Sequence, residues 1–193
     1  MEMRGIGCLC LLVALLACPG WSDIINGSFE TGDFTGWNDQ TSGSYAEVVP
    51  GGTDGAWHAQ VHLFGEYVDL PQGTVFGRGF YALWQEFLVP DDAKYLAFDA
   101  WVEGSLYIQV HAHLRGEENY DLIVTASEPT SFIIDVSDVA GDVGPLDFLF
   151  YDTDEGTNIG HLDNVHVVVI PEPSCVLLIA SGLIGLSVLR RVG

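Results

Sequence analysis

The sequence predicts an all-β fold: an antiparallel β-sandwich of the jelly-roll kind, flanked by an N-terminal signal helix and a C-terminal transmembrane helix. Three observations carry this. From Ile24 to Val169 the chain runs in short stretches of alternating apolar and polar residues divided by Gly, Pro, Asn and Asp, the pattern of half-buried strands joined by turns. Between the two ends no window keeps helical spacing. The ends themselves are apolar runs with arginines beside them, as targeting segments are. The expected division is a signal peptide over 1–22, a sandwich over 23–169 and a C-terminal signal over 170–193 whose membrane helix covers about 175–189.

Composition narrows the possibilities. A chain of 193 residues, less its ends, makes one domain with one sizeable core. All four cysteines, Cys8, Cys10, Cys18 and Cys175, lie in the ends, so the sandwich has no disulfide although export would permit one. Its stability must come from core burial or a bound metal, and calcium is the metal this favours. Residues 23–170 hold 25 of the 27 acids and only three of the six bases (Arg78, Lys94 and Arg115), a net charge of about −22. Such a surface repels phosphates, which excludes nucleic acid as a partner, and it attracts hard cations and tolerates neutral ligands.

In chain order, Arg4 precedes the apolar run Ile6–Ala17, and Gly20 and Ser22 supply the small residues of a cleavage site before Asp23. Leu15-Leu16-Ala17-Cys18 offers a competing lipobox that would lipidate Cys18. Ile24-Ile25 opens the β region, and Asn26 to Trp37 is turn-rich with spaced aromatics. Strands are expected at Tyr45–Val49, Trp57–Phe64, Leu83–Val89, Tyr95–Glu103, Leu106–Leu114, Asp121–Ala126, Phe132–Val136, Leu146–Tyr151 and Leu162–Val169. Strands at this spacing, separated by turn residues, are those of a sandwich. Asp152-Thr-Asp154-Glu-Gly156 is oxygen-rich but lacks the twelve-residue calcium-loop spacing, and is read as a hairpin turn.

The tail follows the last strand directly. Pro171-Glu172-Pro173-Ser174 breaks the β run, a fifteen-residue apolar run interrupted by Ser181, Gly182, Gly185 and Ser187 follows from Cys175 to Leu189, and Arg190-Arg191 ends it. Fifteen residues are short for a spanning helix, which needs about 20. Breaker, apolar run and basic stop together resemble the PEP-CTERM sorting signal of Gram-negative bacteria. That resemblance implies an exosortase-type membrane protease as a processing partner, a membrane stage before processing, and a final place at the cell surface or outside it.

A second resemblance lies between the two addresses. Asn26-Gly-Ser-Phe-Glu30 with Gly36-Trp37, Ala82 to Pro90, Tyr95 to Trp101, and His161-Leu-Asp-Asn-Val165 are similar to the opening, middle and closing strands of carbohydrate-binding-module-like, galactose-binding-like domains. The likeness covers most of residues 24–169. It implies a jelly roll in which first and last strands meet around a structural calcium ion, with Glu30 and Asp163 at the matching positions. Two carboxylates with carbonyls and water make a reasonable calcium set, although among 25 acids some pair will always look apt.

Two further constellations come from strand alternation. Tyr107, Gln109, His111 and His113 share one side of a strand, as do His58, Gln60 and His62, and Trp101 with Glu103. Aromatic rings among amides and imidazoles suit a glycan, which stacks its apolar ring face and hydrogen-bonds through its hydroxyls. The same alternation also describes the solvated outer face of any antiparallel sheet. The other constellation, His111-x-His113-x-x-x-Glu117, has cupin-like spacing for manganese, iron or zinc with His161 as a fourth ligand, but the rest of that motif is missing. No nucleophile elbow, His-Glu-x-x-His or sandwich cysteine is present, so an enzyme is not expected. The expectation is an exported envelope or matrix protein whose non-catalytic sandwich binds extracellular polysaccharide. A coat protein without a small ligand, and a cupin-like metalloenzyme, are the alternatives.

Overall fold

The structure is a computed structural model that describes residues 24–42, 44–70, 73–77, 79–114, 117–154 and 156–170, with backbone alone at 66–70, 73–77, 113–114 and 117–121. The signal peptide, the Cys18 lipobox, Arg115 and the Pro171-Glu172-Pro173 to Arg190-Arg191 tail lie outside the described residues. Among the described residues no helix is long and apolar enough to cross a membrane. The described residues through Val168 group as one compact unit.

Among the described residues eleven strands follow one another: β1 (Asn38–Ser42), β2 (Tyr45–Pro50), β3 (Trp57–Leu70), β4 (Gly73–Gly77), β5 (Phe80–Leu88), β6 (Ala93–Glu103), β7 (Leu106–Leu114), β8 (Glu117–Val124), β9 (Thr130–Asp135), β10 (Val143–Asp152) and β11 (Gly156–Val169). They form a five-stranded sheet, β1-β5-β10-β7-β8, and a six-stranded path, β2-β3-β11-β6-β9 with β4 paired to β3. Every pairing with a described register is antiparallel. The all-β antiparallel sandwich expected from the sequence is therefore present.

Alternation decides which side chains meet between the sheets. Leu83, Ile108, Val110, Leu146, Phe148 and Phe150 face inward from the five-stranded sheet and Val61, Leu63, Leu96, Phe98 and Leu162 from the six-stranded one, all of them 0–1 % exposed. Edge-to-face contact between Phe98 and Phe148, at 5.2 Å and 80°, joins the layers. Trp37 meets Phe148 at 6.0 Å and stacks on Phe29 at 5.6 Å, so the turn-rich opening segment is held by the same core.

The opening segment is turn-rich, as its residues read, and is not the opening strand that the resemblance to galactose-binding-like domains implies. Residues 25–28 form turns rather than a strand. Asn26 and Phe29 take left-handed backbone angles (φ 52° and 54°), which turn the chain at both positions. The segment nevertheless meets the last strand, because Gly27 accepts a hydrogen bond from the Val165 amide at 3.0 Å. A Cβ on Gly27 would lie 1.9 Å from the Val165 carbonyl oxygen, so only glycine permits the approach.

Other departures are β1, β4 and one turn. The all-exposed sequence Asn-Asp-Gln-Thr-Ser of β1 has no apolar alternation and becomes a strand only by pairing with β5. Strand β3 continues past Phe64 to Leu70, where β4 pairs with it. Asp152–Gly156 is not a hairpin turn, since β10 and β11 belong to different sheets. It crosses between layers beside the β6–β7 crossing, and Thr153 ties the two by donating its amide (2.8 Å) and hydroxyl (2.7 Å) to the Ser105 carbonyl.

Candidate functional site

The residues singled out from the sequence divide between two opposite faces. Tyr107, Gln109 and His111 lie on the outer face of β7 in the five-stranded sheet, while His58, Gln60 and His62 on β3 and Trp101 on β6 lie on the six-stranded sheet. His113 follows them on β7 beyond a bulge between Ala112 and His113.

On the five-stranded sheet, pairing completes the β7 row with residues the sequence reading passed over. Tyr107 is opposite Tyr151 of β10, which is opposite Phe80 of β5. Their rings stand 5.3 Å apart at each step, at 29° for Tyr107–Tyr151 and 39° for Tyr151–Phe80. Four residues along, the row reads Trp84, Asp147, His111 and Asp121 across β5, β10, β7 and β8, with Leu149 and Gln109 paired between the two rows. Phe80, Trp84, Tyr107, Gln109, His111, Asp147, Leu149 and Tyr151 are all half-buried. Burial, then Tyr107 beside it, raises the Tyr151 hydroxyl above its ordinary pKa. Tyr151 therefore stays a neutral hydrogen-bonding group. The result is an aromatic strip across three strands beside a polar row, which can hold a ring-shaped, hydroxyl-rich molecule through stacking and hydrogen bonds. Alternation at Phe80-Tyr-Ala-Leu-Trp84 and Asp147-Phe-Leu-Phe-Tyr151 was the available signal. The expected strand there begins only at Leu83, which leaves Phe80 outside it, and Leu146–Tyr151 reads as a core strand.

The six-stranded sheet gives its histidines another setting. Trp101 is 8 % exposed, too buried for its ring face to serve as a platform, and it stacks on His161 at 4.5 Å and 5°. His58 and His161 are also buried, with His58 Nε2 3.0 Å from His161 Nδ1 and His161 Nε2 3.2 Å from Glu103 Oε1. The two imidazoles share one hydrogen bond, in which one ring nitrogen donates and the other accepts. Burial lowers the pKa of His58, and burial followed by the neighbouring His58 lowers that of His161 to about 4. Both imidazoles are neutral at pH 7. His161 does not join His111 as a metal ligand, because they lie on the outer faces of opposite sheets with the core between. Only the backbone is described at His113 and Glu117. Among the described residues no group of three His, Cys, Asp or Glu side chains is arranged to hold a metal ion.

Glu30 and Asp163 both grip the loop between β2 and β3. Glu30 Oε1 accepts the amides of Ala56 and Trp57 at 2.7 and 2.8 Å. Asp163 Oδ2 accepts the amides of Thr53 and Asp54 at 2.6 and 3.0 Å, and Oδ1 that of Asn164 at 2.8 Å. The Thr53 hydroxyl lies 2.5 Å from Asp99 Oδ2 and 3.0 Å from Asp163 Oδ2. One hydroxyl proton thus serves two buried carboxylates. Burial raises the pKa of Asp163; at Asp99 burial is opposed and outweighed by hydrogen bonds from Ser131, Thr53 and Asn164, which lower it. Oxygen ligands with excess buried negative charge are the chemistry a hard cation takes, so these residues fit calcium in kind. Loop amides already bind the same oxygens, so a cation would share them.

No family model matches the chain, and no curated protein matches it in sequence. Solved structures do match in fold. The carbohydrate-binding module TmCBM61 in complex with β-1,4-galactotriose aligns with a TM-score of 0.56 and 16 % identity over 78 % of this chain and 100 % of that one. The non-crystalline-cellulose-specific module CBM28 aligns at 0.52 and 15 % over 79 % and 98 %, and a further β-sandwich carbohydrate-binding module at 0.50 and 15 % over 77 % and 63 %. The chain has the β-sandwich fold of carbohydrate-binding modules.

Proposed function

We propose that this is an exported, non-catalytic polysaccharide-binding protein, and that the outer face of its five-stranded sheet holds a neutral glycan. The observation that carries the reading is the strip Phe80–Tyr151–Tyr107 beside Trp84, Asp147, His111 and Gln109, on a fold shared with carbohydrate-binding modules. Stacking is supplied by the rings and hydrogen bonding by the polar row. The acidic field favours neutral sugars over uronic acids. Leader and tail give the delivery route: export, a membrane stage, and processing of the Pro171-Glu172-Pro173 signal by an exosortase-type protease.

Affinity electrophoresis through β-1,4-galactan, barley β-glucan and carob galactomannan tests the ligand. Retardation by at least one is expected, and Tyr107→Ala or Tyr151→Ala is expected to weaken binding at this face, since one aromatic contact is worth about 0.5–1.5 kcal/mol. A folded protein that none of the three retards would overturn the reading. Calcium at Glu30 and Asp163 is a separate part of the proposal: calcium is expected to raise the melting temperature and a chelator to lower it, and a melting temperature that neither changes removes the ion.

A further inference from the structure

The two outer faces carry the same set of side chains. On the five-stranded sheet Tyr107, Gln109 and His111 alternate along β7. On the six-stranded sheet Gln60 and His62 alternate along β3, and Tyr45 of β2 is paired with His62. The Tyr45 ring lies on the His62 imidazole at 4.5 Å and 10°, and His62 Nε2 is held 3.1 Å from Glu47 Oε1. Phe64 stands beside Tyr45 at 5.9 Å and 25°. Tyr45 is 47 % exposed and Phe64 39 %, so this ring pair is backed by a fixed imidazole and open to solvent. An exposed aromatic supported from below, with a carboxylate and an amide alongside, is a stacking platform rather than a piece of core.

We propose that the surface around Tyr45 is a second glycan-contact site, so that one molecule holds two chains of neutral polysaccharide on opposite faces and cross-links them. This rests on the reading of the five-stranded face given above. The occupant is assigned by chemistry: tyrosine, glutamine and histidine recur, and the only basic group among these residues is an imidazole paired with a carboxylate. Opposite faces of a sandwich cannot both reach the same stretch of an extended polymer, so two sites mean two chains, and bridging gains avidity without new contacts.

The test uses whichever of β-1,4-galactan, barley β-glucan or carob galactomannan retards the protein, with a short oligosaccharide cut from it. Calorimetry is expected to give two oligosaccharides per protein, and mixing with the polymer to give turbidity. Tyr45→Ala is expected to leave one oligosaccharide per protein and abolish turbidity while keeping retardation, with an unchanged circular dichroism spectrum. Tyr107→Ala is expected to leave one as well, bound through Tyr45. A stoichiometry of one in the unaltered protein, unaffected by Tyr45→Ala but lost in Tyr107→Ala, overturns the second site and leaves the first intact. No retardation by any polymer removes both.

Discussion

His161 carries the clearest single-residue consequence. Its neutral imidazole lies against Trp101, shares a hydrogen bond with His58 and has Glu103 Oε1 3.2 Å from its Nε2. Its folded pKa of about 4 lies below the ordinary value of 6.5, so between those values the unfolded chain binds the proton and the folded one does not. Stability from this residue is complete above pH 6.5 and is lost as pH falls toward 4. His58, lowered for the same first reason, adds to the loss in the same direction. Urea unfolding at pH 7.5 and 4.5 is expected to show the drop, and His161→Gln to flatten it. An equal slope in that variant would remove the histidine pair as its source.

At the scale of elements, the opening turn and the loop between β2 and β3 decide how the ends of the sandwich close. Gly27 lies where a methyl group would enter the backbone of β11, and a chain so close to a carbonyl can relieve the clash only by moving away. Gly27→Ala is expected to lower stability by about 3 kcal/mol, the upper range for overpacking, read as a shifted denaturation midpoint. Glu30 acts on the loop from the other side, with two amides on one oxygen. Gly55, at φ 84°, leaves room for that carboxylate, which a Cβ would approach to 2.5 Å. Much of this was legible in the sequence. Asn26-Gly27-Ser28-Phe29-Glu30 and His161 to Val165 were marked as meeting, and they do. The Gly, Asn and Asp content of Asn26 to Trp37 already marked it as turn-rich, whereas the left-handed angles at Asn26 and Phe29 leave no periodic trace.

The whole molecule is governed by its charge. About −22 on residues 23–170 makes any glycan contact one without ion pairs to the sugar. Binding by stacking and hydrogen bonds is therefore expected to change less than about twofold between 50 and 500 mM salt. An anionic polymer such as alginate is expected to bind only as salt screens the repulsion. Strong low-salt binding of alginate, weakened by added salt, would contradict this. The same charge and the absence of sandwich cysteines leave the fold dependent on one continuous core, whose aromatic contacts run from Phe29 through Trp37 and Phe148 to Phe98.

Alternation is a local property of a pleated strand, so the sequence by itself determined the all-β class, most strand positions and which side of each strand is polar. Tyr107, Gln109 and His111 could be placed on one face without knowing their neighbours. Which strands lie side by side is set by pairing between distant segments, and only the tertiary structure decided that. It set Tyr151 and Phe80 beside Tyr107, turned Asn38–Ser42 into a strand, and put His58, Gln60, His62 and Trp101 on the opposite sheet. The physical reason is that a strand's hydrogen-bonding edges are nearly the same in every sequence. The order of strands in a sheet is chosen by the fit of whole inner faces against one another.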